Sequence, residues 1–429
     1  MGLIAELSLK GKAVLVVGGG RQALRKARQL KQEGARITAV ASSFLDGFDE
    51  ISGRMIAGSY EPSFLQGIFL VVAATDDRAL NHRIVCDAKE RNILSMSIHR
   101  DEDAILHSLG IREFGGVTAA VTTHGSYPAL DQVLLDGFES SSQHALQKLP
   151  ALTCLRERIV SSSLSSEEKR EILGLLPTLE AENLSALVRA MERGKVLLAV
   201  WHGTASRKSA EGQIFPFSRE IESRHPHVPV CAVCLSGKMR EKLLTRGIHL
   251  LLLGEMLRLL SILGVRSVFL QPILFTAGRY YQQIIRCAQE YPKLCTSIGE
   301  PLVKDAEDAG KLFSALREQE AGQEQMLYTC HGFESGIQTV LRAPLRAGEE
   351  LIFIGEPLPS LSRESPVRVV PLLMLVGFHA GRDLFDGENS VCARLVRDGY
   401  EVRPDRTGLM ERKSVGHLFA EKIERVFIW

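Results

Sequence analysis

The chain has 429 residues, with 52 Lys and Arg against 51 Asp and Glu, and a formal net charge of +1. That balance offers no electrostatic hold on nucleic acid or an anionic membrane surface, so neither is expected as a partner. The length predicts two or three domains, and a 45% hydrophobic, 24% charged composition places them in the ordinary globular class.

The N-terminal MGLIAELSLKGK lacks the apolar core of a signal peptide. Residues 14–17 (VLVV), bounded by glycines, read as a strand buried on both faces. Gly18, Gly20 and Ala23 then make G-x-G-x-x-A. Ala23, Leu24, Ala27 and Leu30 share one helical face, and Gly34 is a natural stop. Strand, glycine turn and helix together are the setting of a dinucleotide site. The glycines let backbone N–H groups approach a pyrophosphate, and the helix N-terminus supplies positive potential. Gly18, Gly19, Gly20, Arg21 and Gln22 are therefore cofactor-binding candidates; a tightly packed βα turn without ligand is the alternative. A second strand, residues 35–41, ends in Ser42 and Ser43 where a NAD site commonly has an acidic residue; hydroxyls make the same ribose contact more weakly. A third strand (68–74) leads to Thr75 in a loop at the ligand edge, followed by a helix (81–91) and a fourth strand (92–98). This alternation predicts a parallel, doubly wound sheet.

VLVVGGGRQALRKARQL, ARITAVA, VVAATDDRALN and VTAAVTTHGSYPAL follow one another in an order that resembles the NAD-dependent precorrin-2 dehydrogenase part of siroheme synthases. The resemblance covers roughly residues 1–190. It implies that NAD takes a hydride from precorrin-2 to give sirohydrochlorin, and that the segment after about Gly115 builds a dimer and part of a tetrapyrrole cleft. It also implies a catalytic Asp just after the fourth strand. Ungapped matching puts His99 there, and a loop two residues longer puts Asp101 there. Both are candidates, since an imidazole serves as a base near neutral pH. Tyr127-Pro128 stands where the family has Ser-Pro.

Residues 130–195 are largely helical in pattern, with a break at Pro177 and an N-terminal cap at SSEE, residues 165–168. Residues 161–166 read as a loop. The segment is a connector or a dimer surface.

From Lys195 the alternation returns. Strands are expected at 196–201, 228–234, 268–273, 295–298, 326–330, 351–354 and 367–375, seven in all, which roughly fits two four-stranded lobes. The CxxC of Cys231 and Cys234 lies inside one of them, so packing is expected rather than zinc, with reduced thiols in the cytoplasm. The richest apolar run, 250–265, is broken by Glu255 and Arg258, so no membrane span is expected. His202, His331 and His379 each follow an apolar strand beside a glycine, and Glu356 also follows a strand. Neutral imidazoles are good ligands for Fe2+, Co2+ or Zn2+, which makes a metal-handling site the sharper reading and hydrogen-bonded structural histidines the plainer one.

VRVVPLLMLVGFHAGRDL, LYTCHGFESG, IFIGEPLP, FLQPILFTAGRYYQQI and VLLAVWHGTA are similar to the class II chelatases, of the anaerobic cobalt chelatase type that acts on sirohydrochlorin. The resemblance covers about residues 195–429 and implies that His331 and His379 bind the metal, His379 beside the macrocycle. Insertion needs loose metal ligands, a base for two pyrrole N–H protons and a cleft; two imidazoles and the Glu356 carboxylate suit that work. His202 falls where this type has an aromatic residue and is assigned a supporting place in the cleft. Tyr280, in Gly278-Arg279-Tyr280-Tyr281, falls where it has a metal-binding Glu, while Arg279 suits the carboxylates of the substrate.

The expected organisation is α/β throughout: a NAD-binding Rossmann-like domain (1–114), a helical dimerisation segment (115–194), and a two-lobed chelatase domain with parallel sheets (195–429, lobes about 195–322 and 323–429). The resemblances imply a homodimeric, bifunctional enzyme that oxidises precorrin-2 with NAD and inserts Fe2+ into sirohydrochlorin. Co2+ insertion toward cobalamin, a tetrapyrrole-binding protein with one or both activities decayed, and a plain NAD-dependent oxidoreductase with an unrelated C-terminal domain are the alternatives.

Overall fold

The structure, a computed structural model, describes residues 3–99, 101–124, 127–203, 207–317, 324–330, 337–376 and 381–426. They fall into two compact units, Met1–Leu146 and Gln147–Trp429.

The first unit is built around β1 (Ala13–Val17). Its branched and apolar side chains alternate between two buried faces. Val14 and Val16 pack on one side with α1 (Arg21–Gln32), and Leu15 and Val17 on the other. Beside it lie β2 (Arg36–Ala41), β3 (Arg54–Ala57), β4 (Leu70–Ala73) and β5 (Leu94–Ser97), all parallel in the order β3-β2-β1-β4-β5. The edge strand β3 and the short α2 (Phe48–Ile51) before it are additions to the expected elements; β3 is short and largely exposed, so it carries no apolar pattern. α3 (Arg78–Glu90) begins at Arg78 rather than Asn81 because Asp77 caps it, accepting from the N–H groups of Ala79 and Leu80. β6 (Gly110–Phe114) and β7 (Val117–Val121) form an antiparallel hairpin. It closes through Gly115 and Gly116 at φ +56° and +80°, the left-handed pair that a two-residue turn demands. The expected boundary at 114/115 falls on this turn. α4 (Pro128–Leu146) packs on the hairpin, buries Leu135 and leaves Leu130, Val133, Leu134 and Phe138 exposed.

The second unit opens with α5 (Leu149–Val160), α6 (Ser166–Leu175) and α7 (Ala181–Arg193). Ser165 and Glu168 form the expected capping box, and Pro177 lies in the 3-10 turn Leu176–Thr178. Leu155, Ile172, Leu184 and Leu187 of these helices pack on the first of two parallel sheets. That sheet holds β8 (Lys195–Trp201), β9 (Val230–Cys234), β10 (Ser267–Ile273) and β11 (Cys295–Ile298) in the order β11-β10-β8-β9. The other holds β12 (Gln325–Cys330), β13 (Glu349–Phe353), β14 (Val367–Pro371) and β15 (Val402–Pro404) in the order β13-β12-β14-β15. One core, including Trp201, Phe217, Tyr328 and Phe419, is common to both sheets. Cys231 and Cys234 point to opposite faces of β9, each inside a different apolar cluster, so they are packing residues; burial pushes the Cys231 thiol up to about 12. Among the described residues no helix is long and apolar enough to cross a membrane.

Candidate functional site

In the first unit the strand order reverses at β1 and β4, the topological switch where open α/β sheets bind ligands. The glycine turn sits there. Gly18 has φ +132°, and a Cβ on it would lie 2.1 Å from the Ala74 carbonyl oxygen. A Cβ on Gly19 would lie 1.8 Å from the Ser43 carbonyl oxygen. These two glycines let the turn nest between the ends of β4 and β2, where the Gly18 N–H donates to Val40 O and the Leu45 N–H to Gly19 O. Gly20 differs: its φ is −82°, and a Cβ there would meet nothing within 4 Å. It is the N-cap of α1, which has no side-chain cap and no acidic residue in its first turn. The open amide groups and positive end of α1 therefore face outward, with Arg21 and Gln22 exposed beside them. These residues fit a pyrophosphate.

Ser42 and Ser43 are exposed directly after β2. Thr75 follows β4, and its Oγ1 and N–H both donate to Asn81 Oδ1, at 2.8 and 3.1 Å, while Asn81 Nδ2 donates back to Thr75 O at 2.8 Å. Asn81, 1% exposed, thus holds the ligand-edge loop in shape. Reading the sequence missed it; the available signal was a polar residue on the inner face of an otherwise apolar helical turn.

Beyond β5, His99 is half-buried and its backbone N–H donates to Ser97 Oγ at 3.3 Å. Asp101 lies 3.1 Å from His82 Nδ1 through Oδ2 and accepts the Asp103 N–H through Oδ1 at 3.0 Å. Both of its oxygens are engaged within the unit.

In the second unit His202 follows β8 directly, and its ring centroid is 4.2 Å from that of Tyr280, in the first turn of the helix Arg279–Gln289. The Arg279 guanidinium lies over the Tyr280 ring at 4.6 Å and donates to its hydroxyl at 2.8 Å. Burial, with a further push from the Arg279 charge, holds the His202 pKa below its ordinary value, so its imidazole is neutral at pH 7. Glu356, just past β13, accepts the Phe353 N–H at 2.9 Å and lies 3.7 Å from Arg342, so its carboxylate is already paired. His331 and His379 lie outside the described residues. The strands that lead to them are neighbours: Thr329 of β12 pairs with Pro371 of β14, and Cys330 with Phe353 of β13, so the carboxyl ends of all three share one edge.

Residues 6–105 match a family model described as "Putative NAD(P)-binding", and residues 195–343 match one described as "Cobalt chelatase (CbiK)". A siroheme synthase of Photorhabdus laumondii is 32% identical over 172 residues, 38% of this chain and 36% of that protein. The chain thus spans about a third of the length of the curated relatives it matches first. Among solved structures, "SirB from Bacillus subtilis with Fe3+" has a TM-score of 0.40 at 15% identity, covering 55% of this chain and 96% of that one. "SirC, precorrin-2 dehydrogenase" has a TM-score of 0.35 at 28% identity, covering 40% and 87%. By its sequence likenesses the chain is similar to siroheme synthases and joins an NAD(P)-binding part to a part that matches the cobalt chelatase family.

Proposed function

We propose that this protein oxidises precorrin-2 to sirohydrochlorin with NAD and then inserts Fe2+ into the product, as a homodimer in the cytoplasm. The observation that carries this reading is the pairing within one chain. An uncapped, glycine-cradled α1 sits in one unit and a cobalt chelatase match in the other, and the two chemistries share sirohydrochlorin.

Residues 1–114 are assigned to the cofactor, 115–194 to dimerisation, and 195–429 to chelation, with lobes about 195–322 and 323–429. NAD, when bound, supplies the hydride acceptor. Gly18, Gly19, Gly20, Arg21 and Gln22 hold its pyrophosphate, Ser42 and Ser43 face its ribose, and Thr75 lines the loop beside it. Loss of hydride leaves a proton on the substrate. Asp101 is tied to His82 and the Asp103 amide, which makes it a positioning residue and leaves His99 as the base. In the second unit His331 and His379 would hold the incoming metal and, once it passes to the ring, take the pyrrole protons on the nitrogens it frees; Glu356 joins them by leaving Arg342, and Arg279 pairs with substrate carboxylates. The exposed Leu130, Val133, Leu134 and Phe138 on one face of α4 support a contact between copies.

A second reading, tetrapyrrole binding without insertion, is favoured by Tyr280 packed against His202 with Arg279 over its ring: that edge offers a cation and a phenol where a metal-binding carboxylate is expected.

An anaerobic absorbance time course separates the two. Precorrin-2 with NAD should turn into sirohydrochlorin, and added Fe2+ should then give the metallated spectrum; a faster reaction with Co2+ assigns cobalt as the substrate metal. His379→Ala should stop the second phase and leave the first intact. Failure of oxidation removes the dehydrogenase step, and metallation no faster than without enzyme leaves the binding reading.

A further inference from the structure

Donors of three kinds gather where α3 meets the loop after β5. His82 Nε2, Cys86 Sγ and an Asp103 carboxylate oxygen all lie within 4.8 Å of one another. His82 and Cys86 are four residues apart on one helix, so they share a face. Their Nε2 and Sγ atoms are 3.6 Å apart. Tetrahedral bonds of about 2.0–2.3 Å set neighbouring donors roughly 3.3–3.8 Å apart, so this edge already has the right length and a small closing movement of Asp103 completes the set.

Asp101 prepares the histidine. An ionised carboxylate only accepts, so its 3.1 Å contact with His82 Nδ1 places the ring proton there and leaves the Nε2 lone pair turned toward Cys86. An outer carboxylate that fixes tautomer and ring orientation is the usual support of a metal-binding imidazole. Asp101 is well placed for it, with a side chain only 10% exposed and its other oxygen on the Asp103 N–H.

We propose that His82, Cys86 and Asp103 bind one divalent transition-metal ion of borderline softness (Zn2+, Co2+ or Fe2+), with Asp101 orienting the imidazole and the fourth position open to water. Mixed nitrogen, sulfur and oxygen donors argue against Mg2+ and Ca2+, which take oxygen. On binding, the Cys86 thiol gives its proton to solvent and the metal–sulfur bond forms in its place. The Lys89 ammonium, 2.6 Å from Asp103 Oδ1 and on an exposed side chain, is displaced into water. The ion then ties α3 to the loop that carries His99. The inference stands on this geometry and not on the proposed oxidation.

The test is an anaerobic titration of the full-length chain carrying His331→Ala and His379→Ala with Co2+, under a thiol-free reductant. A cysteine thiolate on Co2+ adds a near-ultraviolet charge-transfer absorption that imidazole and carboxylate ligands lack. The absorption should saturate at one equivalent and vanish in Cys86→Ser. His82→Ala should weaken binding at least tenfold, and Asp101→Asn about 10–100-fold, with the far-ultraviolet circular dichroism of each variant unchanged. Absence of the absorption at stoichiometric Co2+, or its survival in Cys86→Ser, overturns the proposal.

Discussion

Gly18, Gly19 and Gly20 read as one motif, yet each is glycine for a different reason. Gly18 and Gly19 are required by the protein itself, because a Cβ on either collides with a backbone carbonyl. Among the described residues nothing lies within 4 Å of a Cβ placed on Gly20. Gly18→Ala should therefore destabilise the ligand-free chain by about 1–3 kcal/mol, read by chemical denaturation. Gly20→Ala, which meets no clash and loses only an N-cap preference, should cost less, about 0.5–1 kcal/mol, while weakening NAD binding, read by calorimetric titration. Equal stability losses would remove the distinction. Other residues of the site were beyond a reading of the sequence. The Asp101 partner, His82, lies on the preceding helix, and only the folded chain brings loop and helix together. Asn81 is likewise defined by what it holds, the Thr75 loop, rather than by any pattern around it.

Among the elements, β1 and α1 were legible because burial on both faces and a one-sided apolar stripe leave clear periods in the sequence. β3 was not, since an exposed edge strand needs no apolar alternation. The hairpin β6–β7 was missed for a related reason: its strands are exposed at alternate residues, and Gly115-Gly116 was taken as a domain border instead of a turn. α4 shows the converse, an apolar face that the described residues of its own unit leave largely uncovered. Val133 is 62% exposed and Leu134 48% exposed, so replacing both by Asp should leave folding intact. If the proposed homodimer forms through this face, sedimentation should then show a shift from dimer to monomer; a variant that sediments as the parent does would exclude this face as the contact.

At the scale of the molecule, the return of alternation at Lys195 announced the two parallel sheets, while the proline-containing β15 stayed hidden in a turn-rich stretch. The division into two units predicts selective protection. A ligand bound only to the folded first unit stabilises that unit, by about 2.7 kcal/mol at a hundredfold excess over its dissociation constant. NAD should slow proteolysis within residues 3–146 and leave cleavage within 147–426 unchanged; uniform protection would place the cofactor elsewhere.

The two sheets of the second unit follow a single winding. Counted by appearance, each runs second, first, third, fourth: β9-β8-β10-β11 and β13-β12-β14-β15. His202 follows the first strand of one, as His331 follows the first strand of the other. Past the third strands come Gly278 with Tyr280 and Gly377 with His379. Such a correspondence is what tandem duplication of an ancestral half leaves behind. Two copies start with equal edges and can then diverge. One carries imidazoles at both positions, while the other carries His202 at the first and Tyr280, beside Arg279, at the second.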